Sequence, residues 1–99
     1  MTPEKKVKEK VKKILKSMGA YYCMPATGGY GASGVPDIIA CYQGRFIGIE
    51  CKANGGKPTA LQKKHLADIK KAKGLSLLID ESNVDVLKYL LEKQISNVG

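Results

Sequence analysis

Three side chains near the middle of the sequence have the types and spacing for hydrolytic chemistry on a phosphodiester: Asp37, Glu50 and Lys52. That reaction needs a hard cation to neutralise charge on the phosphoryl oxygens, a water made nucleophilic, and stabilisation of the leaving oxygen. Glu50 and Lys52 stand two residues apart, so an extended strand sets them side by side on one face. A tight turn at Gln43-Gly44 makes the flanking segments a hairpin whose register brings Asp37 across from Glu50. Two carboxylates and a backbone carbonyl, that of Cys51, form an oxygen donor set suited to Mg²⁺ or Mn²⁺. Lys52 can then orient or deprotonate an attacking water. The competing reading is a surface ion-pair cluster. It fits less well, because Ile47, Ile49 and Cys51 alternate with the polar residues and Pro36 precedes the first acid.

The segments that must position this trio follow from periodicity. Thr2 and Pro3 begin a helix whose apolar positions are Val7, Val11, Ile14, Leu15 and Met18, and Gly19 ends it. A short strand is expected over Ala20 to Pro25, then a glycine-rich loop from Ala26 to Gly34. Val35 to Tyr42 and Arg45 to Ala53 read as the two hairpin strands, with Ile47, Ile49 and Cys51 on one face and Phe46, Glu50 and Lys52 on the other. Thr59 to Lys73 reads as a helix opened by a capping box between Thr59 and Gln62. Leu75 to Ile79 suits a buried strand, and Val84 to Ile95 is a last amphipathic helix. The order is αβββαβα, expected as one domain over residues 1–99 with an α+β architecture.

Composition narrows the partners. Seventeen Lys and Arg against nine Asp and Glu give a formal charge of +8 on 99 residues, a field that draws polyanions, nucleic acid first. The sequence has neither an apolar run long enough to span a bilayer nor a secretory leader, which predicts a soluble, cytoplasmic protein without a membrane partner. Cys23, Cys41 and Cys51 include no C-x-x-C pair, so reduced, mostly buried thiols are expected. Gly29 to Gly34 satisfies G-x-G-x-x-G, yet Pro36 and a strand follow where a dinucleotide site needs a helix. His65, the sole histidine, lies among lysines and reads as a surface residue.

Gly34-Val35-Pro36-Asp37 followed by Ile49-Glu50-Cys51-Lys52 resembles the PD-(D/E)-x-K motif of a large nuclease superfamily. Within it the chain most resembles the viral replication and repair nuclease (VRR-NUC) domain, whose stand-alone phage and bacterial versions are similar to Holliday-junction resolvases. The resemblance covers nearly the whole chain and implies a restriction-endonuclease-like αβββαβ core with a mixed sheet. It implies that Asp37 and Glu50 bind the metal and that Lys52 is the catalytic lysine. It also implies that Gln62 contacts the active site, that Glu9 supplies an additional acid, and that Ser33 lies on the approach to the motif. Capping explains Gln62 equally well, and pairing with Lys5, Lys12 or Lys13 explains Glu9.

The implied activity is a metal-dependent endonuclease acting on branched DNA in repair, leaving a 5′-phosphate and a 3′-hydroxyl. Tyr30 and the backbone of the glycine-rich loop are candidates to touch a distorted strand, although Tyr30 serves equally as a packing anchor. Lys57, Lys63 and Lys64 are candidates to position phosphates without reading bases, as are Lys70, Lys71 and Lys73. Paired cuts in two strands call for a homodimer, with Leu87, Leu91 and Ile95 either at its interface or covering the sheet. A non-catalytic basic binding module is the reading from another class, and flaps, nicks or single strands are alternative substrates.

Overall fold

The structure is a computed structural model and describes residues 1–26 and 34–96. Thr2 accepts a hydrogen bond from the Lys5 amide and Pro3 opens helix α1 (Pro3–Ser17), whose Val7, Val11 and Leu15 are buried. Gly19 ends it in the left-handed region at φ +78°, with its own N–H and that of Ala20 closing onto Lys16 and Leu15 carbonyls. This is the double closure of a Schellman turn.

Four strands follow the order β1 (Tyr21–Cys23), β2 (Ile38–Tyr42), β3 (Arg45–Cys51) and β4 (Leu75–Ile79) across one sheet. The first two pairings are antiparallel and β3 with β4 is parallel, which makes the sheet mixed. Gln43 and Gly44 both have positive φ, as a type I′ turn requires, and the register runs from Tyr42↔Arg45 to Ile38↔Ile49. That is the pairing expected from the turn. Helix α2 (Ala60–Lys71) bridges β3 and β4, and a 3₁₀ turn (Val84–Val86) leads into helix α3 (Leu87–Ser96).

Strand alternation divides the molecule into unequal layers. Ile38, Ala40, Ile47, Ile49, Cys51, Leu75 and Ile79 form the main core with residues of α1 and α3, among them Leu87 and Leu91 at 0% exposure. Those two leucines cover the sheet, and Ile95 packs partly buried beside them. The dimer role considered for this trio therefore finds no free apolar face at Leu87 or Leu91. Helix α2 lies on the other face over a strand stripped of bulk: a Cβ on Gly48 would stand 2.5 Å from Ile69 Cδ1 and 3.3 Å from Pro36 Cγ.

Several expectations are corrected. The first strand is shorter than Ala20–Pro25, and the hairpin strands begin at Ile38 and end at Cys51. Strand β4 is an edge of the sheet, with Leu78 40% exposed, because among the described residues only β3 pairs with it. Cys23 on β1 and Cys41 on β2 are exposed and only Cys51 is buried, since α2 packs over β3 and β4 and does not extend over that side of the sheet.

Candidate active site

The β2–β3 ladder stops one rung short of the motif, and that break builds the site. Beyond Asp37 and Glu50, the next hydrogen-bonded pair would set Pro36 against Cys51, but proline has no N–H to offer the Cys51 carbonyl. The Cys51 N–H instead donates to Asp37 Oδ2 at 2.8 Å. Asp37 is thereby anchored at the end of the sheet, next to the strand position that carries Glu50. On the opposite side, the Lys52 N–H donates to the Ile79 carbonyl at 2.9 Å, so β4 holds the same end of β3 in place.

Glu50 is only 2% exposed, the one charged residue among the buried positions described. Its Oε2 lies 3.5 Å from Lys52 Nζ, while its Oε1 is buried with no hydrogen-bond partner among the described residues. Burial foremost, then the neighbouring Asp37 carboxyl, push Glu50 up to about 7 against the opposing pull of Lys52. A buried, unpartnered carboxylate oxygen costs roughly 1–3 kcal/mol unless a ligand satisfies it. Asp37, Glu50 and Lys52 thus converge as expected from strand alternation and register.

Two residues of α1 join the cluster unannounced by the motif. Lys8 Nζ lies 3.4 Å from Asp37 Oδ1 and 3.8 Å from Glu4 Oε2. Burial pulls the Lys8 amine down, but the Asp37 charge and hydrogen bond, with Glu4 adding to them, leave it raised overall. Glu9 does not join: its Oε1 pairs with Lys12 Nζ at 3.2 Å along the helix. The signal was in the helical phase. Glu4 borders the stripe of Val7, Val11 and Leu15, whereas Glu9 is turned about 200° from Val7.

Gln62 makes the capping box: its Oε1 accepts from the Thr59 N–H at 2.9 Å and its own N–H donates to the Thr59 hydroxyl at 3.1 Å. Thr59→Ala should therefore cost about 1 kcal/mol, read as a lower urea midpoint with unchanged m-value. Lys57, Lys63 and Lys64 are exposed on or just before α2, and Lys64 pairs with Asp68 at 2.9 Å. Tyr30 and Ser33 lie outside the described residues, as does the glycine-rich segment 27–33. His65 borders an open recess with Phe46, Asp68 and Ile69, between α2 and β3. Burial pushes the Cys51 thiol up to about 12, with Asp37 and Glu50 adding to the shift, so it stays protonated and is no nucleophile.

Among the described residues no group of three or more His, Cys, Asp or Glu side chains is arranged to hold a metal ion by itself. The donors present are hard: the free Glu50 oxygen, the Asp37 carboxylate and the Cys51 carbonyl. That chemistry fits an ion such as Mg²⁺, which accepts few protein oxygens and retains its waters.

A solved structure described as a VRR_NUC domain shares this fold, with a TM-score of 0.73 at 21% identity over 88% of this chain and 95% of that chain. No curated protein matches the chain significantly. The family model described as archaeal Holliday junction resolvase (Hjc) matches residues 5–79, from α1 through β4 and including every residue of the cluster but Glu4. With three quarters of its length matched and the P-D…E-x-K geometry assembled at the end of a mixed sheet, the chain belongs to the archaeal Holliday junction resolvase family of PD-(D/E)xK nucleases that act on DNA.

Proposed function

We propose that this protein is a divalent-cation-dependent endonuclease that cuts branched DNA such as four-way junctions, and that it works as a homodimer in DNA repair. The observation that carries the reading is the buried Glu50 carboxyl, with one oxygen unpartnered, beside Asp37 and Lys52. Asp37, Glu50 and the Cys51 carbonyl would hold Mg²⁺ or Mn²⁺, which when bound supplies charge neutralisation at the phosphoryl oxygens. Lys52 hydrogen-bonds and orients the attacking water, its amine kept close by Glu50. Lys8 holds the second Asp37 oxygen, which leaves that carboxylate little freedom to rotate. The cut leaves a 5′-phosphate and a 3′-hydroxyl.

Surface lysines on and around α2 supply the affinity for phosphates, so binding should be strongly salt-dependent and largely indifferent to sequence. The decisive assay incubates the purified protein with matched linear, nicked, flap and four-way DNA, in chelator or with added Mg²⁺ or Mn²⁺. Cleavage of the four-way substrate, silent in chelator and restored by metal, is the expected result. Binding without cutting under every condition would leave a non-catalytic module. Preference for flaps, nicks or single strands would overturn the substrate but not the chemistry.

A further inference from the structure

The far end of β3 carries a second polar site that the catalytic cluster does not use. Arg45 begins the strand there, about 16 Å along it from Glu50. Its Nε donates to the Lys73 carbonyl at 3.0 Å, but its Nη1 is buried with no partner among the described residues. Beside it lies a recess of about 230 Å³ lined by Arg45, Lys70, Lys73, Ser76 and Gln94, together with Gly74, Leu75 and Leu77. Among the described residues no carboxylate borders it. Two lysines, an arginine, a serine and a glutamine, with no acid among the described lining residues, match an oxyanion.

The backbone supports this independently. Helix α2 ends as α1 does: the Lys73 N–H closes onto Lys70 and the Gly74 N–H onto Ile69. In α1 the left-handed position of that turn is Gly19 at φ +78°, whereas in α2 it is Lys73 at φ +76°. A lysine is disfavoured there relative to glycine, and such outliers gather at functional sites. Gly74 has a separate reason to be glycine, since a Cβ on it would meet Ile69 Cγ2 at 2.9 Å. The strained position thus places a lysine at the recess where glycine would relax the chain.

We propose that this recess binds a backbone phosphate of the DNA at a distance from the scissile bond. Helix α2 runs from the catalytic end of the sheet to the recess, with Lys63 and Lys64 near its start and Lys70 and Lys71 at its end. A strand laid along it would pass from one site to the other. That the phosphate belongs to DNA rests on the nuclease reading above; that the recess takes an oxyanion does not.

Lys73→Gly tests both parts, because the two roles of the residue move in opposite directions. Relief of the left-handed lysine should raise the melting midpoint by about 4 °C. In a ¹H–¹⁵N titration of the full chain with inorganic phosphate, at ionic strength held constant with chloride, saturable shifts are expected at Gly74 to Leu77 and at the Arg45 side chain, and should vanish in the variant. Anisotropy with a labelled four-way DNA in metal-free buffer should show weaker binding and a salt slope reduced by about one. Lys88→Gln, on the exposed side of α3, should change neither readout. Phosphate shifts spread over all lysines, or unchanged in Lys73→Gly, would overturn the site. Phosphate saturation without any change in DNA affinity would overturn DNA as its source and leave free phosphate. Neither arm reads cleavage, so a failure of the nuclease reading is seen separately, in the metal assay.

Discussion

Glu50→Gln is expected to abolish metal-dependent cleavage, by on the order of 10³-fold or more, while making the cation-free protein more stable at neutral pH. Loss of activity follows from removing the anionic oxygen that the proposed ion needs. The gain in stability follows from linkage. Glu50 stands near 4.5 in an ordinary environment and is pushed up to about 7 by burial and then by Asp37. The folded protein therefore keeps a proton that the unfolded chain has released, and stability declines as pH rises from roughly 4.5 to 7. Gln cannot ionise, so the variant escapes this decline and should gain on the order of 2 kcal/mol above pH 7.

Two comparisons check the assignment. Thermal melts from pH 4.5 to 8 in chelator should show the parent losing stability across that window and Glu50→Gln much less so. At pH 8, Mg²⁺ should raise the melting midpoint of the parent and not of the variant, because only the parent binds the ion. Residual cutting in the variant, or equal stabilisation of both proteins by Mg²⁺, would remove Glu50 from the proposed metal site. DNA binding should persist throughout, since the basic surface is untouched.

Gly34→Ala should be the most damaging single-methyl change near the site. Gly34 sits at φ +108°, and a Cβ there would stand 2.7 Å from Leu61 Cγ and 2.9 and 3.0 Å from the Leu61 carbonyl carbon and oxygen. A side chain can rotate away, but the backbone of α2's first turn cannot yield without disturbing the Thr59–Gln62 cap. Strain at positive φ plus this clash should cost about 2–4 kcal/mol in urea unfolding. Because Gly34 leads directly into Pro36 and Asp37, cleavage should fall as well at temperatures where the variant is still folded. A variant as stable as the parent would show that this approach to α2 is loose. The contrast with Gly19 is instructive: nothing lies within 4 Å of a Cβ built there, so its substitution meets only the conformational penalty.

Whatever depends on neighbours in sequence was readable from the chain alone. The two-residue period of β3 separated the face of Ile47, Ile49 and Cys51 from that of Glu50 and Lys52. The Gln43-Gly44 turn set the hairpin register, and with it the approach of Asp37 to Glu50. Thr59 and Gln62 announced their capping box because its three-residue spacing is a local property. The site trio could be found in this way because all of it lies on one hairpin.

Tertiary structure alone decided the rest, because desolvation and distance depend on elements far apart in the sequence. Only packing shows that Glu50 is buried with a free oxygen, or that Cys23 and Cys41 are exposed on strands α2 fails to cover. Lys8, linked in turn to Glu4, reaches Asp37 because α1 packs against the sheet, whereas the family resemblance had pointed to Glu9. Arg45 and Lys73, 28 positions apart, meet because β3 begins where α2 ends. Periodicity assigns a side chain to a face of its own element; which charges then share a poorly solvated space is settled only when those faces meet.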